Sequence, residues 1–153
     1  MSYQESQYNS PSGDNTKPEL HRVLIVDNEP AICFAYRKLF ASERFGFDTC
    51  ESIETATALL KSNDYFAVIS DVRFAGSDSE EGIYFVEEVR KEQPYAKVIL
   101  VTGYGSDELK KTAHELGTYH YFEKPVKPSL ILSMLRTLHL LADEQEKNNY
   151  LCL

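Results

Sequence analysis

Short runs of branched apolar residues recur along the chain, and each is cut off by a polar residue. Val23-Leu24-Ile25-Val26 runs into Asp27, Phe66-Ala67-Val68-Ile69-Ser70 into Asp71, and Val98-Ile99-Leu100-Val101 into Thr102. A fourth run, Tyr119-His120-Tyr121-Phe122-Glu123, delivers Lys124-Pro125. Between the runs lie segments of helical pattern, each about a dozen residues long. The alternation predicts strands over 22–26, 46–50, 66–70, 97–101 and 119–123, and helices over 29–42, 53–62, 80–92, 106–116 and 129–145. Several strands are apolar throughout, as a parallel sheet covered by helices on both faces requires. The punctuation agrees. Ser52 and Ser106 are placed to cap the second and fourth helices, and Gly117 follows the fourth where a left-handed residue is wanted. Pro94 closes the third helix and Pro128 sits at the start of the fifth. Five strand–helix units without a glycine-rich first turn give an α/β, doubly wound five-stranded parallel sheet rather than a dinucleotide-binding fold.

Composition narrows the class. Residues 1–20 are rich in Ser, Gln, Asn, Pro and Gly and cannot bury enough apolar surface to offset ordering, so a disordered tail is expected there. One domain is expected over 21–145, then a short C-terminal tail over 146–153. A net charge of −8 and a pI of 5.0 speak against a nucleic-acid surface. No apolar stretch reaches the roughly 20 residues that span a bilayer, and the N-terminus lacks signal-peptide order. Cys33, Cys50 and Cys152 are widely spaced and read as reduced thiols of a cytoplasmic protein, two of them core residues. The four histidines are dispersed, none with a partner at metal-ligand spacing, and no role is expected of them.

In an open α/β sheet, polar groups at the carboxyl ends of parallel strands converge on one crevice. Two acids, a hydroxyl and an ammonium meeting there would make a site for a phosphoryl group and a divalent cation. Taken singly, each has a plain structural explanation: Asp71 as a strand-end turn acid, Thr102 as a hydroxyl bonded to backbone, Lys124 as a solvated turn lysine, and Asp27 as a helix cap.

The four run endings, in this order and each at a strand end, resemble the receiver domain of two-component response regulators, the CheY-like family. The resemblance rests on Val-Leu-Ile-Val-Asp27-Asn28-Glu29-Pro30, Val-Ile-Ser-Asp71, Val-Ile-Leu-Val-Thr102-Gly103 and Tyr121-Phe-Glu-Lys124-Pro125, and covers roughly residues 21–142. It implies a flavodoxin-like (βα)5 fold with strand order 2-1-3-4-5. It implies Asp71 as phosphoacceptor, a carboxylate that attacks a phosphoryl donor in line to form an acyl phosphate. It implies Mg²⁺ held by Asp27, Asn28, Asp71 and the backbone carbonyl of Arg73. It gives Lys124 and Thr102 the phosphoryl oxygens, leaves room at Gly103, and makes Tyr121 the switch aromatic. A cis Lys124–Pro125 peptide is also implied.

This chain departs from the family pattern in three places. Asn28 stands where an acid is usual, so weakened Mg²⁺ binding is expected. Phe74-Ala75 replaces the common Met-Pro, and Gly82 lies eleven residues past Asp71 where the family has it at eight, which lengthens the acidic loop 76–81. Arg73 and Tyr104 lie two residues after Asp71 and Thr102. Their bulk at the crevice mouth is expected to slow hydrolysis of the acyl phosphate.

With fewer than a dozen residues after the fifth helix, a stand-alone receiver is expected, not an enzyme beyond its own phosphorylation and dephosphorylation. Its expected partners are a histidine kinase or histidine phosphotransfer protein and a downstream protein target, with no nucleic acid and no membrane. The switching surface would be the face of the fourth helix, fifth strand and fifth helix. In the fifth helix, Leu130, Met134, Leu138 and Leu141 form one stripe. Leu132, Leu140 and the segment Tyr150-Leu151-Cys152-Leu153 remain for a partner or a homodimer. Two rival readings stay open: a pseudo-receiver that is never phosphorylated, suggested by Asn28, and an aspartyl-phosphate phosphohydrolase. The second would need Asp-x-Asp-x-Thr where this chain has Asp27-Asn28-Glu29-Pro30-Ala31.

Overall fold

A computed structural model describes residues 21–71, 81–103 and 105–151. The expected tail over 1–20, the loop after Asp71 from Val72 to Glu80 with Arg73, and Tyr104, Cys152 and Leu153 lie outside the described residues. The elements are β1 (Arg22–Val26), α1 (Pro30–Phe40), β2 (Gly46–Cys50), α2 (Ile53–Ser62), β3 (Ala67–Asp71), α3 (Glu81–Glu92), β4 (Lys97–Thr102), α4 (Asp107–Glu115), β5 (His120–Glu123) and α5 (Pro128–Leu151). All strand pairs are parallel, in the order β2-β1-β3-β4-β5. The order that the resemblance implies is therefore present.

The apolar strands bury both faces because successive side chains point to opposite sides. Leu24, Val26, Val68, Val98 and Leu100 pack with Leu60 of α2, Phe85, Val86 and Val89 of α3 and Ala113 of α4. On the other side Val23, Ile25, Ile69, Ile99 and Val101 pack with Tyr36 and Phe40 of α1 and Ile131, Leu135 and Leu138 of α5. Ser52 caps α2 by accepting from the Thr55 amide, and Ser106 caps α4 by accepting from the Leu109 amide. Gly117 takes the left-handed conformation at φ 76°. Cys33 and Cys50 are buried free thiols.

Two expectations need correction, both in α5. The core stripe is Ile131, Leu135 and Leu138 with Leu132 beside them, whereas Leu130 and Leu141 are exposed. Apolar residues crowd this helix, and neighbouring stripes one residue apart satisfy a 3.6-residue period equally well. The helix also runs past the expected end at 145 to Leu151, because Glu146 through Tyr150 contain neither Gly nor Pro to stop it. Among the described residues, no helix is long and apolar enough to cross a membrane.

Candidate functional site

β3 and β4 each extend one residue further than their apolar runs, so Asp71 and Thr102 are themselves the last residues of their strands. Asp71 lies in register with Val101, and Thr102 with Glu123. The Lys124 amide then donates to the Thr102 carbonyl at 2.7 Å, which sets Lys124 at the head of β5 beside the other strand ends. Its ammonium donates to Asp71 Oδ2 at 2.9 Å and lies 3.6 Å from Asp27 Oδ2. Asp27 follows β1, and its Oδ1 accepts from the Glu29 amide at 2.9 Å, just ahead of α1. The residues open onto a cleft of about 440 Å³ whose lining includes Asp27, Asp71, Gly103 and Lys124 together with apolar Ile32 and Tyr36.

Burial decides the electrostatics. Asp27 is 5% exposed, Asp71 8% and Thr102 0%. Burial lifts Asp27 above the ordinary carboxylate range; the Glu29 amide and Lys124 oppose this, while Asp71 adds to it. Burial alone would lower Lys124, but its hydrogen bond to Asp71 and the charge of Asp27 outweigh that and raise it. Two buried carboxylates thus share one ammonium. Buried carboxylate oxygens set side by side suit a small hard divalent cation such as Mg²⁺, so the residues fit the ion. Asn28 is exposed beside Asp27, with an amide carbonyl to offer; Arg73 is outside the described residues.

Residues 23–136 match the response regulator receiver domain family. The chain belongs to that family. It is therefore a receiver of two-component signalling, a family whose members generally act as signalling domains and bind Mg²⁺ at the phosphorylation site. An NtrX-like response regulator of Rickettsia bellii is 30% identical over 114 residues, covering 74% of this chain and 24% of that protein. The photosynthetic apparatus regulatory protein RegA of Rhodobacter capsulatus is 28% identical, over 74% of this chain and 60% of that protein. A CheY-like receiver domain protein from Methanospirillum hungatei superposes with a TM-score of 0.70 at 29% identity, covering 84% of this chain and 98% of that one. The chain spans about a quarter of the length of the NtrX-like relatives it matches.

In this receiver the Lys124–Pro125 peptide is cis, as the resemblance implies. Among the described residues beyond its chain neighbours, a Cβ added at Gly103 would meet only Lys124 Cδ, at 3.9 Å. Tyr121 turns inward: its hydroxyl is buried and, among the described residues, makes no hydrogen bond of ordinary geometry. Burial, then the nearby Glu123 carboxylate, raises its pKa against the pull of the Ser106 amide. Gly105 makes this position available, because a Cβ there would lie 2.8 Å from the Tyr121 hydroxyl and closer still to the Glu123 carboxylate. Sequence reasoning passes over Gly105; its one signal is the second glycine of Gly103-Tyr104-Gly105. The histidines require a correction. His21 and His139 meet at Asp143: the first contact spans 122 residues of chain, which no local spacing could display, while the second is one turn along α5.

Proposed function

We propose that this receiver is a phosphorylation-dependent switch in which Asp71 takes a phosphoryl group from a histidine kinase or histidine phosphotransfer protein. The observation that carries the reading is the Asp71 carboxylate, buried at the end of β3, hydrogen-bonded to Lys124 and facing a second carboxylate across the cleft. An Asp71 oxygen forms a bond to phosphorus as the phosphorus–nitrogen bond of the donor histidine breaks; the donor ring, protonated at its other nitrogen, keeps the bonding pair and leaves as neutral imidazole. Lys124, already paired with Asp71, then neutralises a phosphoryl oxygen, and the Thr102 hydroxyl donates to another. Mg²⁺ held by Asp27, Asn28, Asp71 and the Arg73 carbonyl would supply the positive charge that lets two anions approach. Tyr121 follows Thr102 and remodels the face of α4, β5 and α5, which controls a downstream protein target. Exposed Leu130, Leu140 and Leu141 on α5 offer apolar surface to that target or to a second copy. Arg73 and Tyr104 slow loss of the phosphoryl group. We place the switch in the cytoplasm, where buried thiols such as Cys33 and Cys50 stay reduced.

Intact-mass measurement after incubation with Mg²⁺ and a small-molecule phosphodonor tests this. The expected result is one stable phosphoryl adduct, absent in Asp71→Ala. A second reading, an interaction module that is never phosphorylated, draws on Asn28, which offers no charge beside Asp27. Wild-type protein that gains no mass would establish it instead.

A further inference from the structure

We propose that His21, His139 and Asp143 form a binding site for a late first-row transition cation of the Zn²⁺ class. The three lie at the opposite end of the sheet from Asp71, because His21 immediately precedes β1 while Asp27 immediately follows it, about 20 Å away along the strand. His139 and Asp143 stand one turn apart on α5, so two ligands come from one rigid element and the third from the entrance to β1. Their ligand atoms all lie within 4.8 Å of one another. An ion with ligands at about 2.0–2.1 Å in tetrahedral array holds them about 3.3 Å apart, so small side-chain rotations close the set.

The carboxylate of Asp143 straddles the two imidazoles. Oδ1 lies 3.0 Å from His21 Nε2, a hydrogen bond, and Oδ2 lies 3.7 Å from His139 Nδ1, too long for one. A simple histidine–aspartate pair accounts for the first contact and not for the second imidazole aimed at the same group. The rings stand edge-on to each other, 4.9 Å between centroids, and against Phe66 at 5.6 and 5.8 Å; Phe45 lies 5.9 Å from His139. That apolar wall keeps water from one side of the imidazole pair and holds the two rings in place. Asp143 is the open side, 40% exposed against 12% for His21 and 17% for His139, so the ion enters there and keeps water as its fourth ligand. Two nitrogen donors select against Mg²⁺, which prefers oxygen. The ion would tether the distal half of α5 to the start of β1.

Untagged full-length protein carrying Cys152→Ser, to remove a competing thiol, is titrated with Zn²⁺ by calorimetry in excess Mg²⁺. The expected result is one Zn²⁺ per chain, with affinity reduced about tenfold or more in His139→Gln and in His21→Gln. Substituted Co²⁺ should give visible bands that both variants lose. Asp143→Asn, at the exposed ligand, supplies the same readout should His21→Gln fail to fold. Absence of binding, or binding that persists in the folded variants, overturns the proposal.

Discussion

Asp27 carries a cost that its neighbours only partly relieve. Burial raises its pKa, so folding disfavours the ionised carboxylate; the penalty is present at neutral pH and fades as pH falls through the raised folded-state value. Asn in its place keeps an oxygen for the Glu29 amide and removes the charge. Asp27→Asn should therefore raise the melting temperature by a few degrees at neutral pH without divalent ions, and the gain should shrink on acidification. Melts across that range check both signs. Lys124 runs the other way: its raised pKa contributes stability below the ordinary lysine value of about 10.4, lost as pH rises through the folded value. Asn28 sits at the same mouth without a charge. Asn28→Asp should tighten Mg²⁺ roughly tenfold, since charge count sets affinity among oxygen sites; equal affinities by calorimetry would defeat the idea. These residues were legible because each ends an apolar run. Gly105 was not, because its importance lies in where Tyr121 turns, and a one-letter code carries no rotamer.

Elements reveal what ties the edge of the sheet. Arg22 of β1 grips Asp48 of β2 with two bonds, at 3.1 and 2.6 Å, and the Tyr65 hydroxyl adds a third at 2.7 Å. Burial, then Asp48 itself, pushes the Tyr65 pKa far up and keeps it a neutral donor. Asp48→Ala leaves a guanidinium and a phenol without this acceptor. It should cost about 2 kcal/mol, read as a lower midpoint in urea with an unchanged slope. The strand spans themselves were plain in the pattern, down to the ends of β1 and β2. Ties of this kind were not: Gln93 bonds the Leu60 and Asn63 carbonyls and the Tyr65 amide, joining the end of α3 to the turn before β3. A polar residue at a helix end looks the same in sequence whether it meets water or three backbone groups. The α5 stripe failed for another reason, since apolar residues supplied two registers and only packing against β1, β3 and β4 could choose between them.

At the scale of the molecule, parallel strands bring residues far apart in the chain to one end of the sheet, and four run endings in order were enough to show it. The other end was hidden, because His21 precedes the first run and its partners lie within the last helix. In the proposed switch, communication from site to surface passes Tyr121 and Gly105. Gly105→Ala should drive the Tyr121 ring outward before any phosphorylation. Fluorotyrosine NMR, assigned with Tyr121→Phe, should then show the signal displaced in the unphosphorylated variant and a smaller response to phosphorylation than in wild type; an unmoved signal would count against the coupling.

The length of α5 has a mechanical meaning. Its 24 residues make a rod of about 36 Å, whereas a five-residue strand covers about 17 Å. Among the described side chains, Leu138 is its last buried leucine. A tilt of about 10° at Pro128 would sweep the far end through about 6 Å, and each residue inserted into the rod would turn whatever lies beyond by about 100°. A helix of this length would serve as a lever with a built-in angle, turning a small rearrangement at its base into a displacement and a heading at its tip.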